Sequence, residues 1–387
     1  MSEIAPAPQS QTGETRPAGK PPSKVWIAVR IGFAVIALGV VIHSIQFHDY
    51  LVEKGEKLRI VERSGDTFRA VDPTGHELVV DLSSLQSAGL TYQPGAITLV
   101  RGMQGRFVLY AFLLFGGVPL LQATRWRTLL RIQRITIPFR VALKLTYAGL
   151  FSSFFLIGTT SGDFVKAYWL GRLTSRKTET FVSVFMDRLV GVSVVIVLAG
   201  VIVLALWRDP QVASLTLPVG LLMVGLILCV VVLFSSRLRR LIRFDRWSGK
   251  LPLSSLIGKV DRALLACRRN PQAILRAAAV TTGLQLLSST SAFCLGQGLQ
   301  IGGQIWHFWF YVPLAFLVGS IPLSVFWGLG LLEGAYVALF AGSGLASVTQ
   351  AAMLAMSVRL VQLSWALPGS YVLMSGLDLA APATVTE

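Results

Sequence analysis

The chain has 387 residues, 53% of them hydrophobic and 14% charged, with 35 Lys and Arg against 19 Asp and Glu; its mean hydropathy is +0.64. Soluble domains carry about 25% charged residues, so an ordinary soluble enzyme, a disordered tail protein and a disulfide scaffold are all excluded. A net charge of +16 fits nucleic acid only where the basic residues share one surface, and in a membrane protein the same excess marks cytoplasmic loops.

Residues 1–24 hold Pro6, Pro8, Pro17, Pro21 and Pro22 and read as a disordered cytoplasmic tail. From 25 to 45 the chain is apolar apart from Arg30, long enough for a first transmembrane helix. A signal peptide is the competing reading, but the charged stretch before it is long and no small-residue cleavage site follows. Residues 46–106 change character, with seven basic and eight acidic side chains. Turn signals at Ser64-Gly65-Asp66, Asp72-Pro73-Thr74-Gly75 and Pro94-Gly95 flank the strand-like runs Leu58–Val61 and Glu77–Val80. This segment is expected to be a small β-rich extracytoplasmic insert, its balanced charge placing it outside.

Phe107 to Ala123 reads as the second span, returning to the cytoplasm at Arg125, Arg127, Arg131, Arg134 and Arg140. The next apolar run, Val141 to Ile157, is followed by another basic stretch at Arg172, Arg176 and Lys177. Both flanks are cytoplasmic in character, so the run is expected to be a re-entrant hairpin with Gly158-Thr159-Thr160-Ser161-Gly162 at its tip. Irregular backbone at that depth needs a cavity or protein around it. Phe181 to Trp207 goes out and Leu215 to Phe234 comes back. The loop 235–276 then carries eleven basic residues and two acids. Ala277 to Leu295 goes out again, a broken segment spans Trp306 to Ala341, and a last helix runs from Ala351 to Leu377. The expected fold is an all-α polytopic membrane protein with about six full spans and two re-entrant broken-helix hairpins, in a domain over 107–377. A short cytoplasmic tail, 378–387, closes the chain. Both termini then lie in the cytoplasm of a bacterial inner (plasma) membrane, and the basic loops report orientation, which removes the nucleic-acid reading.

A charge at the bilayer centre costs from about 2.5 to well over ~10 kcal/mol by different scales, so charges persist there only when paired or wet. One such set is Asp163 and Lys166 beside the first tip, with Asp187 and Arg188 entering the next helix. The other is Glu333 and Arg359, which are the only formally charged side chains between 277 and 377. Each unit reads as broken hairpin, acid, then Arg on the following helix, at spacings of 25 and 26 residues. With the hairpins entering from opposite sides, this is the pattern of an inverted repeat. Structural ion pairing alone, with Lys166 and Arg188 snorkelling to the interface, is the competing reading.

These residues resemble a known family. Gly162-Asp163-Phe164-Val165-Lys166-Ala167-Tyr168 is similar to the glycine-aspartate-x-x-basic-alanine motif of the lysylphosphatidylglycerol synthase transmembrane region, or flippase-like domain. Asp187-Arg188-Leu189 resembles its acid-arginine-leucine element, and Ile321-Pro322-Leu323-Ser324 through Gly334 its second signature. Val358-Arg359-Leu360 resembles its final arginine. The resemblance covers roughly 107–377, with two departures: Val325-Phe326-Trp327 replaces a usual proline and glycine, and the 46–106 insert is additional. It implies a lipid translocase, or a lipid-binding protein, for a phospholipid, isoprenoid-linked or glycolipid head group. The implied cavity residues are Asp163, Lys166, Asp187, Arg188, Ser324, Glu333 and Arg359. The first set would line an inward cavity and Glu333 with Arg359 an outward one, with membrane lipids, anionic or phosphate-bearing, as partners. About ten residues follow the last span, so the family's soluble aminoacyl-transfer domain is not expected here, nor lipid lysylation by this chain alone.

Other chemistry finds no foothold. The four histidines have no metal-ligand spacing, and Cys229, Cys267 and Cys294 read as small apolar residues. Gly328-x-Gly330-x-x-x-Gly334 lacks the strand–helix unit of a phosphate loop. No cofactor and no metal are expected. Two alternatives stay open. One is a membrane-embedded transferase using Asp163 or Glu333, which product release from a labelled lipid donor would favour. The other is a non-transporting partner that anchors a glycosyltransferase or lipid-synthesis enzyme through loop 235–276, which co-purification without flipping would favour.

Overall fold

The computed structural model describes residues 46–53, 56–64, 67–71, 77–81, 90–155, 161–174, 177–234, 268–320, 330–375 and 384–385. The expected helix at 25–45, most of loop 235–276 and the two hairpin turns, including Ser324, lie outside those residues.

The chain enters through an antiparallel sheet of five strands, β1 (Tyr50–Glu53), β2 (Glu56–Ser64), β3 (Thr67–Val71), β4 (Glu77–Asp81) and β5 (Leu90–Gln93), in the order β4-β3-β2-β1-β5. Period-two alternation explains it: Phe68 and Ala70 on β3 are buried while Arg69 between them is exposed. Leu51, Leu58, Val80 and Leu90 complete that apolar face. Asp49 closes the sheet's exit, accepting hydrogen bonds from the Tyr92 hydroxyl (3.0 Å) and the Gly95 N–H (2.7 Å). The Gln46 N–H donates to Thr349 Oγ1 at 3.2 Å and ties this domain to one end of the helical bundle.

A short helix α1 (Ala96–Gly102) leads into α2 (Gly105–Ile132), followed by β6 (Ile135–Thr136), α3 (Phe139–Phe155), α4 (Ser161–Thr174), α5 (Lys177–Ala205) and α6 (Pro210–Phe234). After the loop come α7 (Pro271–Gly298), α8 (Ile305–Gly319), α9 (Leu331–Tyr336) continuing as a π turn (Val337–Ala341), α10 (Val348–Ala366) and α11 (Pro368–Met374). A last strand, β7 (Thr384–Val385), pairs with β6. Among the described residues five helical stretches are long and apolar enough to cross a membrane: Gly105–Ile132, Glu179–Ala205, Val212–Val232, Pro271–Gly298 and Val348–Met374. The chain is therefore a multi-pass, mainly α-helical membrane protein, in which the helix satisfies its own backbone groups where no water can.

The second span is longer than its apolar run implies. Arg125, Arg127 and Arg131, expected in a loop, belong to the last two turns of α2, because no Gly or Pro interrupts the chain between Pro119 and Pro138 and Leu129, Leu130 and Ile132 keep a helical apolar face. The last span breaks at Pro368, so that α10 and α11 replace one straight helix.

α2 and α7 run antiparallel through the centre, held by small residues that let the backbones approach. Ser291 Oγ donates to the Ala111 carbonyl at 2.8 Å, and a Cβ on Gly117 would lie 2.7 Å from Leu287. On the other side of α2, Trp365 of α10 stacks on Phe112 with ring centroids 5.0 Å apart. Its indole N–H donates to the Phe112 carbonyl at 2.8 Å, over Gly116. α6 is peripheral: 6% of its apolar window is buried.

Two pairs of helices are too short to span about 30 Å of hydrocarbon. α3 and α4, of 17 and 14 residues, form an antiparallel hairpin that opens at the end where α2 finishes. α8, of 15 residues, and α9 with its π turn form a second, opening at the end that carries the sheet. In the first, a Cβ on Gly162 would lie 2.0 Å from the Gly149 carbonyl oxygen and 2.3 Å from Ser153 Oγ. Gly162→Ala is therefore expected to cost about 2 kcal/mol by overpacking and to lower the thermal midpoint in detergent. Gly220→Ala, on the peripheral α6 with open space around it, should leave the midpoint unchanged.

Candidate functional site

Described residues of both hairpins line one cavity of about 270 Å³. The first hairpin contributes Ser153, Gly162, Asp163 and Lys166; the second contributes Gly319, Ser320 and Leu332. α2, α5, α7 and α10 supply the remaining walls through residues such as Arg125, Arg188, Gln285 and Gln362.

Three ion-paired groups, four pairs in all, occur among the described residues of the bundle, two of the groups on the cavity lining. Arg125 on α2 grips Asp187 on α5 in a two-pronged pair, Nε to Oδ1 and Nη2 to Oδ2, both at 2.7 Å. Two parallel hydrogen bonds fix orientation as well as distance. Arg188 on α5 pairs through Nε with Asp163 Oδ2 on α4. Lys166 Nζ, one turn along α4, is 3.6 Å from Asp163 Oδ1 and 5.8 Å from the centre of the Trp126 ring. Lys166 is only 3% exposed, so it does not snorkel to an interface. The Arg188 side chain is 39% exposed and lines the cavity.

The third group is built differently. Glu333 is completely buried and ion-paired with Arg359 on α10. Its Oε2 also accepts the Gly330 N–H at 2.7 Å, capping α9. Gly330 sits at φ +85°, a left-handed conformation that a side chain would disfavour. Glu333 thus fixes how the chain enters α9 and how α9 meets α10. Leu332, its neighbour in the chain, does line the cavity. Neither Glu333 nor Arg359 is in the described lining of this cavity, and the segment 321–329, beside which an outward cavity is expected, lies outside the described residues.

The structure therefore brings Asp163, Lys166, Asp187 and Arg188 to one cavity, pairs Glu333 with Arg359 outside its described lining, and leaves Ser324 undescribed. Asp187 on α5 engages Arg125 of α2, not a group on the first hairpin. Arg125 escapes a reading that follows charge density alone, although the unbroken helix around it was a usable signal. The amides Gln122, Gln285 and Gln362 also converge on the cavity and were equally visible as polar residues inside apolar spans.

Residues 95–369 match the Lysylphosphatidylglycerol synthase TM region, well over half of the 387-residue chain. The chain belongs to that family. The match includes all three ion-paired groups and both hairpins, and begins just after the β-sheet, so the sheet is an addition to the family's region. No curated protein and no solved structure matches the chain.

Removing one member of a buried pair strands its partner's charge. Asp187→Asn should cost about 3–5 kcal/mol, read as a lowered thermal midpoint of the purified protein. The double change Arg125→Leu with Asp187→Leu should cost less than Asp187→Asn alone, because no buried charge is then left without a counter-ion.

Proposed function

We propose that this member of the Lysylphosphatidylglycerol synthase TM region family binds the head group of an anionic phospholipid, isoprenoid-linked lipid or glycolipid in the cavity and moves it across the inner membrane. The hairpins α3–α4 and α8–α9 act as re-entrant elements from opposite faces of the bilayer, related as an inverted repeat. Such repeats hold their substrate near the midplane, between broken helices. The basic end of the bundle, where α2 finishes and α5 and α7 begin, faces the cytoplasm.

The observation that carries this reading is a cavity between two short hairpins whose described lining holds three cations, Arg125, Lys166 and Arg188, against two carboxylates, Asp163 and Asp187. A phosphate there meets Arg188 first, with Lys166 contributing positive potential from behind. Asp163 holds both cations in place. Rocking one hairpin against the other would expose the cavity to alternate sides, with Glu333 and Arg359 keeping the second hairpin rigid as it moves. No covalent step is needed, and no residue is assigned a catalytic role. Membrane lipids are the partners; a bound glycosyltransferase is not required.

Reconstitution into liposomes with a fluorescent phospholipid tests the reading. Arg188→Gln removes a charged hydrogen-bond donor, and Asp163→Asn releases the two cations, each change being worth more than about 1.5 kcal/mol, or about tenfold. Both variants should insert normally and flip lipid about tenfold more slowly. Glu333→Gln should slow flipping too, through loss of the second hairpin's geometry. Wild-type flipping by Asp163→Asn and Glu333→Gln would contradict the mechanism.

A further inference from the structure

A second open space lies on the outer surface of the first hairpin. Phe164, Ala167, Tyr168, Gly171 and Arg172 of α4, with Phe181 of α5, line a groove of about 440 Å³. Spacings of three and four residues put the α4 members on one face of the helix, while Asp163 and Lys166 line the cavity from another. Gly171 is buried and Ala167 half-buried, so small residues form the floor. Phe164, Tyr168 and Phe181 are exposed and form the walls, with the two phenylalanine rings 6.3 Å apart.

Arg172 is the charged member of the groove. Its guanidinium lies 5.6 Å from the centre of the Tyr168 ring, and its Nη1 donates to the Tyr168 hydroxyl at 3.3 Å. An arginine carries five N–H donors, and among the described residues its polar contacts are with Tyr168 alone. Tyr168 therefore orients the guanidinium without neutralising it. Residues 172–179 hold Arg172, Arg176 and Lys177 against one acid, Glu179, so charge at this end of α4 is positive.

Height decides what fits. Arg172 is nine residues beyond Asp163, about 14 Å along a helix axis, and half the hydrocarbon thickness is about 15 Å. With the cavity near the midplane, as proposed above, Arg172 reaches the head-group level of the basic face and Phe164 stays near the cavity's depth. A cation at head-group level above an aromatic-walled groove is the complement of an anionic phospholipid standing in its leaflet. α6 shows the contrast: Leu217, Leu221 and Leu228 are exposed there, and no charged residue occurs from 210 to 234.

We infer that this groove binds an anionic phospholipid of the leaflet on the basic side. The head group sits at Arg172 and one acyl chain lies against Phe164, Tyr168 and Phe181, at a site separate from the cavity. The inference rests on the membrane placement proposed above and not on transport.

The full chain in mild detergent is mixed with phosphatidylserine and phosphatidylcholine of the same acyl chains, and the bound lipids are counted by native mass spectrometry. The wild type should retain phosphatidylserine over phosphatidylcholine by about fivefold, the worth of about one interfacial cation. Arg172→Gln should lose one phosphatidylserine, and Arg188→Gln should keep the one that Arg172→Gln loses. Tyr168→Ala should behave like Arg172→Gln, with Phe181→Ala giving the same comparison if Tyr168→Ala does not fold. Arg172→Lys should behave like the wild type, as should Arg131→Gln, an exposed cation at the end of α2.

Loss of lipid from Arg188→Gln alone overturns the groove and leaves the cavity reading standing. Loss from Arg172→Gln and not from Arg188→Gln supports the groove and tells against the cavity reading. Equal loss in Arg131→Gln reduces the effect to general surface charge and overturns the inference. A dimer that Arg172→Gln and Tyr168→Ala dissociate overturns it as well, by placing a second copy in the groove.

Discussion

An ionised side chain inside hydrocarbon must find a counter-ion, and that requirement arranges this bundle. Asp187 and Arg188 are consecutive on α5, so they point about 100° apart around the helix. One reaches α2 through Arg125 and the other reaches α4 through Asp163. A single dipeptide thereby sets the position of α5 against two neighbours. Buried ion pairs are often no more stabilising than well-packed apolar residues, and their value here is geometric. They fix which helices touch, and at what height, around a space that apolar packing would otherwise close.

The two hairpins share a layout but differ in chemistry. In the first, Gly149 and Gly162 allow α3 and α4 to meet backbone to backbone, which brings Asp163 and Lys166 to the cavity edge. In the second, the charged Glu333 is buried and the described packing is largely apolar. Gly319 packs on Leu332, Phe308 and Tyr311 pack on Phe340, and Tyr336 stacks on Phe340 with centroids 5.7 Å apart. The π turn that follows α9 is a local widening of the kind often found beside functional sites. In the proposed mechanism the first hairpin presents charge to the lipid and the second is the surface it works against.

Much of this was legible in the sequence for a physical reason: the bilayer makes charge expensive. Glu333 and Arg359 stand out as a pair in a hundred residues of apolar chain, and their ion pair, like that of Asp163 and Arg188, follows from the cost of leaving either alone. The family motifs lie on those same residues. What the sequence hid was tertiary. Arg125 sits in a run of arginines whose density signals a loop, and only a helix extending to Ile132 turns it inward. The cavity that both hairpins line depends on segments far apart in sequence coming together, which no local pattern encodes. The five-stranded order of the sheet was likewise out of reach, since turn residues mark where strands stop and not which strands pair.

The central claim is that the space between the hairpin ends holds a lipid phosphate at Arg188. Native mass spectrometry of the protein released from mild detergent measures this directly, by comparing lipid retained by the wild type and by Arg188→Gln. A phosphate-bearing lipid retained by the wild type and missing from the variant is the predicted result. Equal retention by both, or an intact wild-type protein without lipid, would contradict the account.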